Sequence, residues 1–134
     1  MEGGKLVRAL LRKTDEGLFF EGPHLPIALH EWLLAYAAKG PSPSGFLPLF
    51  LGILPPFTQK VLRAIGEIPF GETINYGTLA EKVNNPKAVR ATGSACGRNP
   101  FPLFIPCHRV TAKGSLGGFA FDIDIKKELL SFER

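Results

Sequence analysis

The sequence predicts an α+β protein in two parts: an abbreviated N-terminal α/β domain with its linker over residues 1–54, and a helix-turn-helix-bearing domain over residues 55–134. Three observations carry this reading. Two short apolar runs flank Asp15-Glu16-Gly17, which is a turn signal between strands. A stretch rich in Pro, Gly and Ser ends at Pro55-Pro56 and marks the boundary. Beyond it, short helical patterns follow one another across the Asn84-Asn85-Pro86 turn, the layout of a helix-turn-helix.

Residues 5–13 and Leu18-Phe19-Phe20 are the arms of the predicted hairpin, which Gly22-Pro23 closes. Residues 27–38 are helical in pattern, with Ile27, Leu29, Leu33, Leu34 and Ala37 assigned to one face and His30, Glu31 and Lys39 off it. Neither His24 nor His30 has an acidic or thiol neighbour that suggests a metal, so both read as surface or packing histidines. Residues 39–56 read as a linker that packs down through Phe46, Leu47, Leu49, Phe50 and Leu51.

In the second part, Thr58 is the expected N-cap of a helix that buries Val61, Leu62 and Ile65 and breaks by Pro69-Phe70-Gly71. Asn75 is placed to cap a short helix over 76–83, with Leu79, Ala80 and Val83 inward. Asn85 is the expected cap, and Pro86 the first residue, of a third helix running to about Cys96. Leu103-Phe104-Ile105 reads as the end of a buried strand stopped by Pro106. Val110-Thr111-Ala112 reads as a short strand. Asp122 or Asp124 caps a last helix with Ile125, Leu129 and Leu130 inward and Glu133 at its end.

The chain of 134 residues, 45% hydrophobic with eleven Phe, is long enough for a real core. Sixteen basic against twelve acidic side chains leave +4, which permits a polyanionic partner without requiring one. Position says more than the sum. Lys87, Arg90 and Arg98 lie in and around the third helix, where Ala88, Ala91, Thr92, Gly93, Ser94 and Ala95 are all small. Small residues let a helix pack tightly, or let it approach a nucleic-acid groove closely. The basic flanks favour DNA. No apolar run approaches the roughly twenty residues that cross a membrane. No signal peptide is visible, so an intracellular protein with reduced thiols is expected.

The chemistry concentrates at Pro106-Cys107-His108-Arg109-Val110. A thiol is a good nucleophile only as thiolate, and a nearby imidazole or guanidinium lowers its pKa. A cysteine at a strand end is otherwise a small buried hydrophobe. Cys96 and Cys107 form no CxxC and cannot make a zinc ribbon, and no metal is expected. A disulfide between them would consume the best nucleophile and is not expected. Cys107, His108 and Glu133 contain the parts of a thiol–imidazole–carboxylate relay. Adjacent residues in a strand point to opposite faces, so a local bend or a bridging water is required to connect the first two.

Taken together, Pro106-Cys107-His108-Arg109-Val110 resembles the active-site signature of the O6-alkylguanine-DNA alkyltransferases. The resemblance extends through Phe70-Gly71-Glu72, Tyr76, Leu79-Ala80, Asn85-Pro86, Arg90-Ala91, Gly93 and Asn99-Pro100, and on to Lys126, Leu129-Leu130 and Glu133. It implies a winged helix-turn-helix-like alkyltransferase domain over 55–134 and a single-use DNA-repair protein, a methylated-DNA–protein-cysteine S-methyltransferase, that moves an alkyl group from O6 of guanine, or O4 of thymine, to Cys107. It implies that His108 acts through a water as base and that Glu133 orients His108. Asn99 would hold the active-site turn, and Tyr76 would rotate the nucleotide and donate a proton to the departing base. Arg90 would fill the base stack, with Lys87, Ala91, Gly93, Ser94 and Arg98 against DNA, and Pro102, Val110, Phe119 and Ala120 would line the pocket. No cofactor is implied. The implied partner is double-stranded DNA with alkylated guanine, met by a monomer in the cytoplasm or nucleus, with no membrane involved.

The sequence departs from the family at Phe119-Ala120-Phe121-Asp122, where Tyr-Ser-Gly-Gly is usual, and the N-terminal part lacks the cysteines some members use for zinc. Other readings are a family relative that binds alkylated DNA without repairing it, a winged-helix regulator with a structural Cys107, and a cysteine hydrolase.

Overall fold

The computed structural model describes residues 10–14, 17–21, 27–39, 51–117 and 123–134. The chain begins with an antiparallel hairpin, β1 (Leu10–Thr14) and β2 (Gly17–Glu21), in register from Leu10↔Glu21 to Thr14↔Gly17. The two arms therefore join through a two-residue connection, as the turn signal requires. Next comes α1 (Ile27–Ala37), which buries Leu29, Trp32 and Tyr36. This corrects the face assigned from sequence: Leu34 is 73% exposed and Ala37 is exposed. The two aromatic rings, four residues apart, stack with centroids 5.5 Å apart, and their larger apolar area decides which side faces the core. Of the linker residues expected to pack down, Leu51 lies against the core, while 46–50 fall outside the described residues. His24 falls outside them as well.

The second part starts with α2 (Pro56–Gly66). Its first residue is a proline, which fits a position whose N–H has no helical partner. Thr58 is not the cap: Pro55 holds that position, and Thr58 is buried in the first turn. A two-residue strand, β3 (Ile74–Asn75), leads directly into α3 (Tyr76–Lys82), where the Asn75 side chain accepts from the Thr78 N–H at 2.8 Å. Asn84 turns the chain with φ +59°, a conformation that asparagine tolerates. The next helix, α4 (Val89–Gly97), begins later than expected. Asn85 accepts a bond from the Ala88 N–H, so Pro86 and Lys87 belong to a turn and not to the helix.

The expected strand over Leu103-Phe104-Ile105 is absent. Leu103 has φ +73°, and the Ile105 N–H bonds back to the Phe101 carbonyl at 2.9 Å. A left-handed residue cannot continue a strand, so the segment is a tight buried loop. It feeds a 3-10 turn (Cys107–Arg109) and then β4 (Val110–Thr111), which pairs in parallel with β3, Ile74 opposite Val110 and Asn75 opposite Thr111. This pairing sets the start of α3 beside the segment that leaves the cysteine turn. The chain ends in α5 (Ile123–Phe132), with Ile125, Leu129 and Leu130 buried as expected and Asp124 in its first turn. The core gathers Leu29 and Trp32, Val61, Leu62 and Ile65, Leu79, Ala95, Phe101, Phe104 and Ile105, and Ile125 and Leu129.

One buried ion pair ties these pieces. Glu133, just past α5, accepts from Arg109 Nε at 2.7 Å and Nη2 at 3.1 Å, from the Gly71 N–H at 3.3 Å and from the Tyr36 hydroxyl at 2.6 Å. Arg109 also donates to the Ile68 carbonyl at 2.8 Å. Gly71 is required here: its φ is +82°, and a Cβ would lie 3.1 Å from the Glu133 carbonyl oxygen. Burial works against the Glu133 charge, but the donors from His108, Arg109 and Tyr36 outweigh it and hold its pKa at about 2.

Two predictions follow from this packing. Trp32→Ala costs about 3–5 kcal/mol in urea unfolding, while Leu34→Ala stays within about 0.5 kcal/mol; the reverse order would restore the other face of α1 to the core. For Glu133 the folded pKa lies below the ordinary 4.5. Its stabilising contribution is therefore complete above that pH and is lost as pH falls toward about 2. Glu133→Gln leaves Arg109 buried without a charge partner and costs about 3–5 kcal/mol at neutral pH. Its unfolding free energy then falls less steeply than wild type below pH 4.5, as urea titrations at stepped pH would measure.

Candidate active site

The nucleophile candidate owes its position to the backbone on either side. Pro106 has φ −79° and ψ 65°, and the Cys107 N–H bonds to the Ile105 carbonyl at 2.8 Å. This is an inverse γ-turn with proline at its centre. It reverses the chain directly into the 3-10 turn, where the Arg109 N–H bonds to the Pro106 carbonyl at 2.9 Å. Cys107 and His108 are thus on a tight helical turn and not in a strand, so the opposite-face objection does not apply. Asn99 braces the turn from inside. Its Nδ2 donates to the Ile105 carbonyl at 2.8 Å, and its Oδ1 accepts from the Phe101 N–H at 2.9 Å. Asn99 is itself buried, and its side chain helps lower the pKa of the Cys107 thiol.

Both cysteines are free and buried. Cys107 has its pKa lowered, first by a hydrogen bond from the Cys96 thiol, with Asn99 and the Lys126 charge helping against desolvation. Cys96 is pushed the other way, by that same bond and by burial, and stays protonated as the donor. Lys126 is fully buried, with Nζ donating to the Val110 carbonyl at 2.7 Å.

His108 is fully buried, with Nε2 2.5 Å from Glu133 Oε2. Burial lowers its pKa, against the pull of the Glu133 carboxylate, and so favours the neutral ring. Nδ1 has no hydrogen-bond partner among the described residues. A neutral imidazole that donates through Nε2 has Nδ1 as its basic atom, and that atom can take a proton directly or through a water. Glu133 and His108 thus form the carboxylate–imidazole half of such a relay, and Cys107 is the residue just before His108 on the same turn.

Tyr76 opens α3 and is half-buried. Its pKa is pushed up to about 12 by burial and by the facing Cys96 and Cys107, so its hydroxyl is a donor at neutral pH. Gly117 closes over this ring: its φ is +72°, and a Cβ would meet Ala112 N at 3.0 Å and Tyr76 Cε2 at 3.1 Å.

Helix α4 divides its small residues between two faces. Thr92, Ala95 and Cys96 pack inward, while Arg90, Ala91 and Ser94 are exposed and Gly93 lies between. Tight packing therefore explains only half of the small-residue run. Lys87 and Arg98 are exposed at the two ends of the helix. Pro102 and Val110 are fully buried close to the cysteine turn. Phe119 and Ala120, with Phe121 and Asp122, lie outside the described residues. Among the described residues no group of three or more His, Cys, Asp or Glu side chains is placed to hold a metal, and no helix is long and apolar enough to cross a membrane.

Four participants escaped the sequence reading. Arg109 stood in the signature but was weighed only as a charge. Lys126 stood among the residues of the resemblance but was given no role. Cys96 sat among small helix residues. Tyr36 carried a usable signal, its spacing of four from Trp32 on α1, which the Leu-rich face obscured.

This geometry has relatives. Residues 56–134 match the family model described as the 6-O-methylguanine DNA methyltransferase DNA-binding domain. A methylated-DNA–protein-cysteine methyltransferase from Methanocaldococcus jannaschii is 52% identical over 81 residues, 60% of this chain and 47% of that protein. The chain spans about half the length of the curated relatives it matches. Among solved structures, Mycobacterium tuberculosis OGT in complex with DNA superposes with a TM-score of 0.76 at 28% identity, covering 95% of this chain and 92% of that one. An O6-methylguanine DNA methyltransferase from Methanococcus jannaschii gives 0.68 at 32% identity, covering 100% and 85%. Because the matched span takes in α2 to α5 with the cysteine turn, the relay and the half-exposed small-residue helix, the chain belongs to the 6-O-methylguanine DNA methyltransferase family.

Proposed function

We propose that this protein repairs alkylated DNA by transferring an alkyl group from O6 of guanine, or O4 of thymine, to Cys107, once per molecule. The observation that carries this reading is the setting of Cys107: a thiol of lowered pKa on a tight turn, next in sequence to a buried histidine bonded to a carboxylate. The M. tuberculosis relative solved in complex with DNA supports DNA as the partner.

The chemistry balances with the residues present and with no cofactor. His108 Nδ1 takes the Cys107 proton through a water, and Glu133 stabilises the imidazolium that forms. The Cys107 sulfur attacks the alkyl carbon, an S–C bond forms, and the C–O6 bond breaks. The departing guanine gains a proton from the Tyr76 hydroxyl. A thioether is not hydrolysed by water, so the thiol is not regenerated. The alkyl carbon is inaccessible inside a duplex, so the base must be flipped out. The exposed face of α4 suits the minor groove, with Arg90 filling the stack and Lys87, Ala91, Gly93, Ser94 and Arg98 against the backbone. Asn99 keeps the cysteine turn in shape. Pro102 and Val110, both buried beside the cysteine turn, form the floor of the pocket.

Residues 55–134 are the DNA-binding, alkyl-accepting unit in this reading, and residues 1–54 its N-terminal cover. The protein works as a monomer, in the cytoplasm or in whichever compartment holds the DNA.

Intact-mass spectrometry after incubation with O6-methylguanine duplex DNA should show a single methyl-sized increment, absent in Cys107→Ala. Binding of the DNA without any increment removes repair and leaves a damage-binding protein. Repeated turnover would instead indicate a hydrolase. Arg90→Ala should slow reaction on duplex DNA by about tenfold to a hundredfold, the equivalent of roughly 1–3 kcal/mol of lost stacking, with little change on the free base. Equal losses on both would remove the stack-filling role.

A further inference from the structure

The relay does not end at Glu133. Tyr36, on α1, donates its hydroxyl to Glu133 Oε2 at 2.6 Å, and that is the oxygen His108 Nε2 approaches at 2.5 Å. Tyr36 lies outside residues 56–134, the span shared with the family domain. We propose that Tyr36 is a positioning residue of the alkyl-transfer site, which fixes the Glu133 carboxylate and draws charge from the oxygen facing His108, so that His108 stays neutral and available as a base. This inference rests on the alkyl-transfer reading.

Geometry carries the argument. Glu133 is met from every element packed on it: Tyr36 from α1, His108 and Arg109 from the 3-10 turn, and the Gly71 N–H from the loop after α2. The remaining charged group that bears on His108 is Lys126 of α5, and Cys107 precedes it in the chain. Arg109 grips both carboxylate oxygens, so it fixes the plane of the group. Tyr36, His108 and Arg109 Nη2 share the lone pairs of Oε2. The short Tyr36 bond on that oxygen further reduces the negative charge that would otherwise stabilise a protonated imidazole. Tyr36 can hold this post because its own proton is secure: burial and the Glu133 carboxylate push its pKa well above the ordinary tyrosine value. Its ring is locked between Trp32, stacked at 5.5 Å, and Phe70 and Phe132, at 5.6 and 5.2 Å. The hydroxyl therefore has little freedom to leave Oε2.

The test is the pH dependence of single-turnover methyl transfer from an O6-methylguanine duplex, followed by intact mass, for wild type, Tyr36→Phe and Trp32→Phe. Tyr36→Phe removes one oxygen and keeps the ring. Its acid limb should move to higher pH by about half a unit or more, with transfer below the limb slowed by about threefold. Trp32→Phe shrinks the buried α1 contact but keeps an aromatic ring to stack on Tyr36, so it should lower the melting temperature and leave the limb where it is. A folded, reactive Tyr36→Phe with an unshifted limb overturns the inference, and so does an equal shift in Trp32→Phe. If the wild-type chain takes up no methyl group, the alkyl-transfer reading fails, and the inference with it.

Discussion

The carboxylate of Glu133 is the point where separate parts of the chain have to agree. It is buried, and an ionised carboxylate in that setting is tolerable only if its lone pairs are filled and a positive charge is close. Arg109 supplies the charge, and Gly71, Tyr36 and His108 supply the remaining donors. The four donors come from three parts of the chain: the cysteine turn, the loop after α2, and α1. Losing one partner exposes the cost of the others, so the network enforces the relative placement of α1, α5 and the 107–109 turn. The aromatic rings of Tyr36, Phe70 and Phe132 then close around it, with Arg109 over the face of Phe70 at 5.7 Å.

That placement matters because the proposed alkyl transfer needs a histidine that is buried, neutral and immobile. Burial alone would secure neutrality but leave the ring free to rotate. The Glu133 bond fixes the ring and, with it, which nitrogen is left unbonded. On the other side of Cys107, the Pro106 γ-turn and the Asn99 bonds hold the backbone. The thiol thus sits between two rigid supports, one of side chains and one of backbone, and its lowered pKa comes from neighbours already in position: the Cys96 thiol, Asn99 and Lys126. Preorganised surroundings of this kind let a thiolate form in a buried place without the protein rearranging at the moment of reaction.

Much of this was legible from residues. The helices of the second part, their buried positions Val61, Leu62, Ile65, Leu79, Ile125 and Leu129, and the Asn75 cap follow from period and capping chemistry. The Cys107–His108–Glu133 set was legible as a list of chemical parts. What sequence could not supply was their connection, because local periodicity says nothing about a loop whose shape depends on tertiary bonds. Leu103 reads as a strand residue, yet it is left-handed because Asn99 and Phe101 capture the Ile105 backbone. Pro86 reads as a helix start, yet the chain turns once more before α4, with Asn85 accepting from Ala88. The α1 face went wrong for a related reason. A run of Leu and Ala at helical spacing outnumbers two aromatic residues on a count, but burial energy follows area, and the stacked indole and phenol win.

The Tyr36–Glu133 bond also bears on what the division at residues 54 and 55 can mean. A boundary drawn from a Pro-rich stretch is a boundary of chain composition. The polar network does not respect it, since one donor to the relay carboxylate comes from α1. Nor does the core, where Leu29 and Trp32 join residues of α2 and the 101–105 loop. Removing α1 would uncover Phe70 and Phe132 and leave a buried carboxylate short of a donor, and both changes work against the folded relay. The N-terminal part is therefore better understood as a wall of the site than as a separate unit. In the proposed transfer the thiol takes the alkyl group, and the carboxylate bonded to the next residue's imidazole also holds a hydroxyl that lies 72 residues before that histidine in the chain.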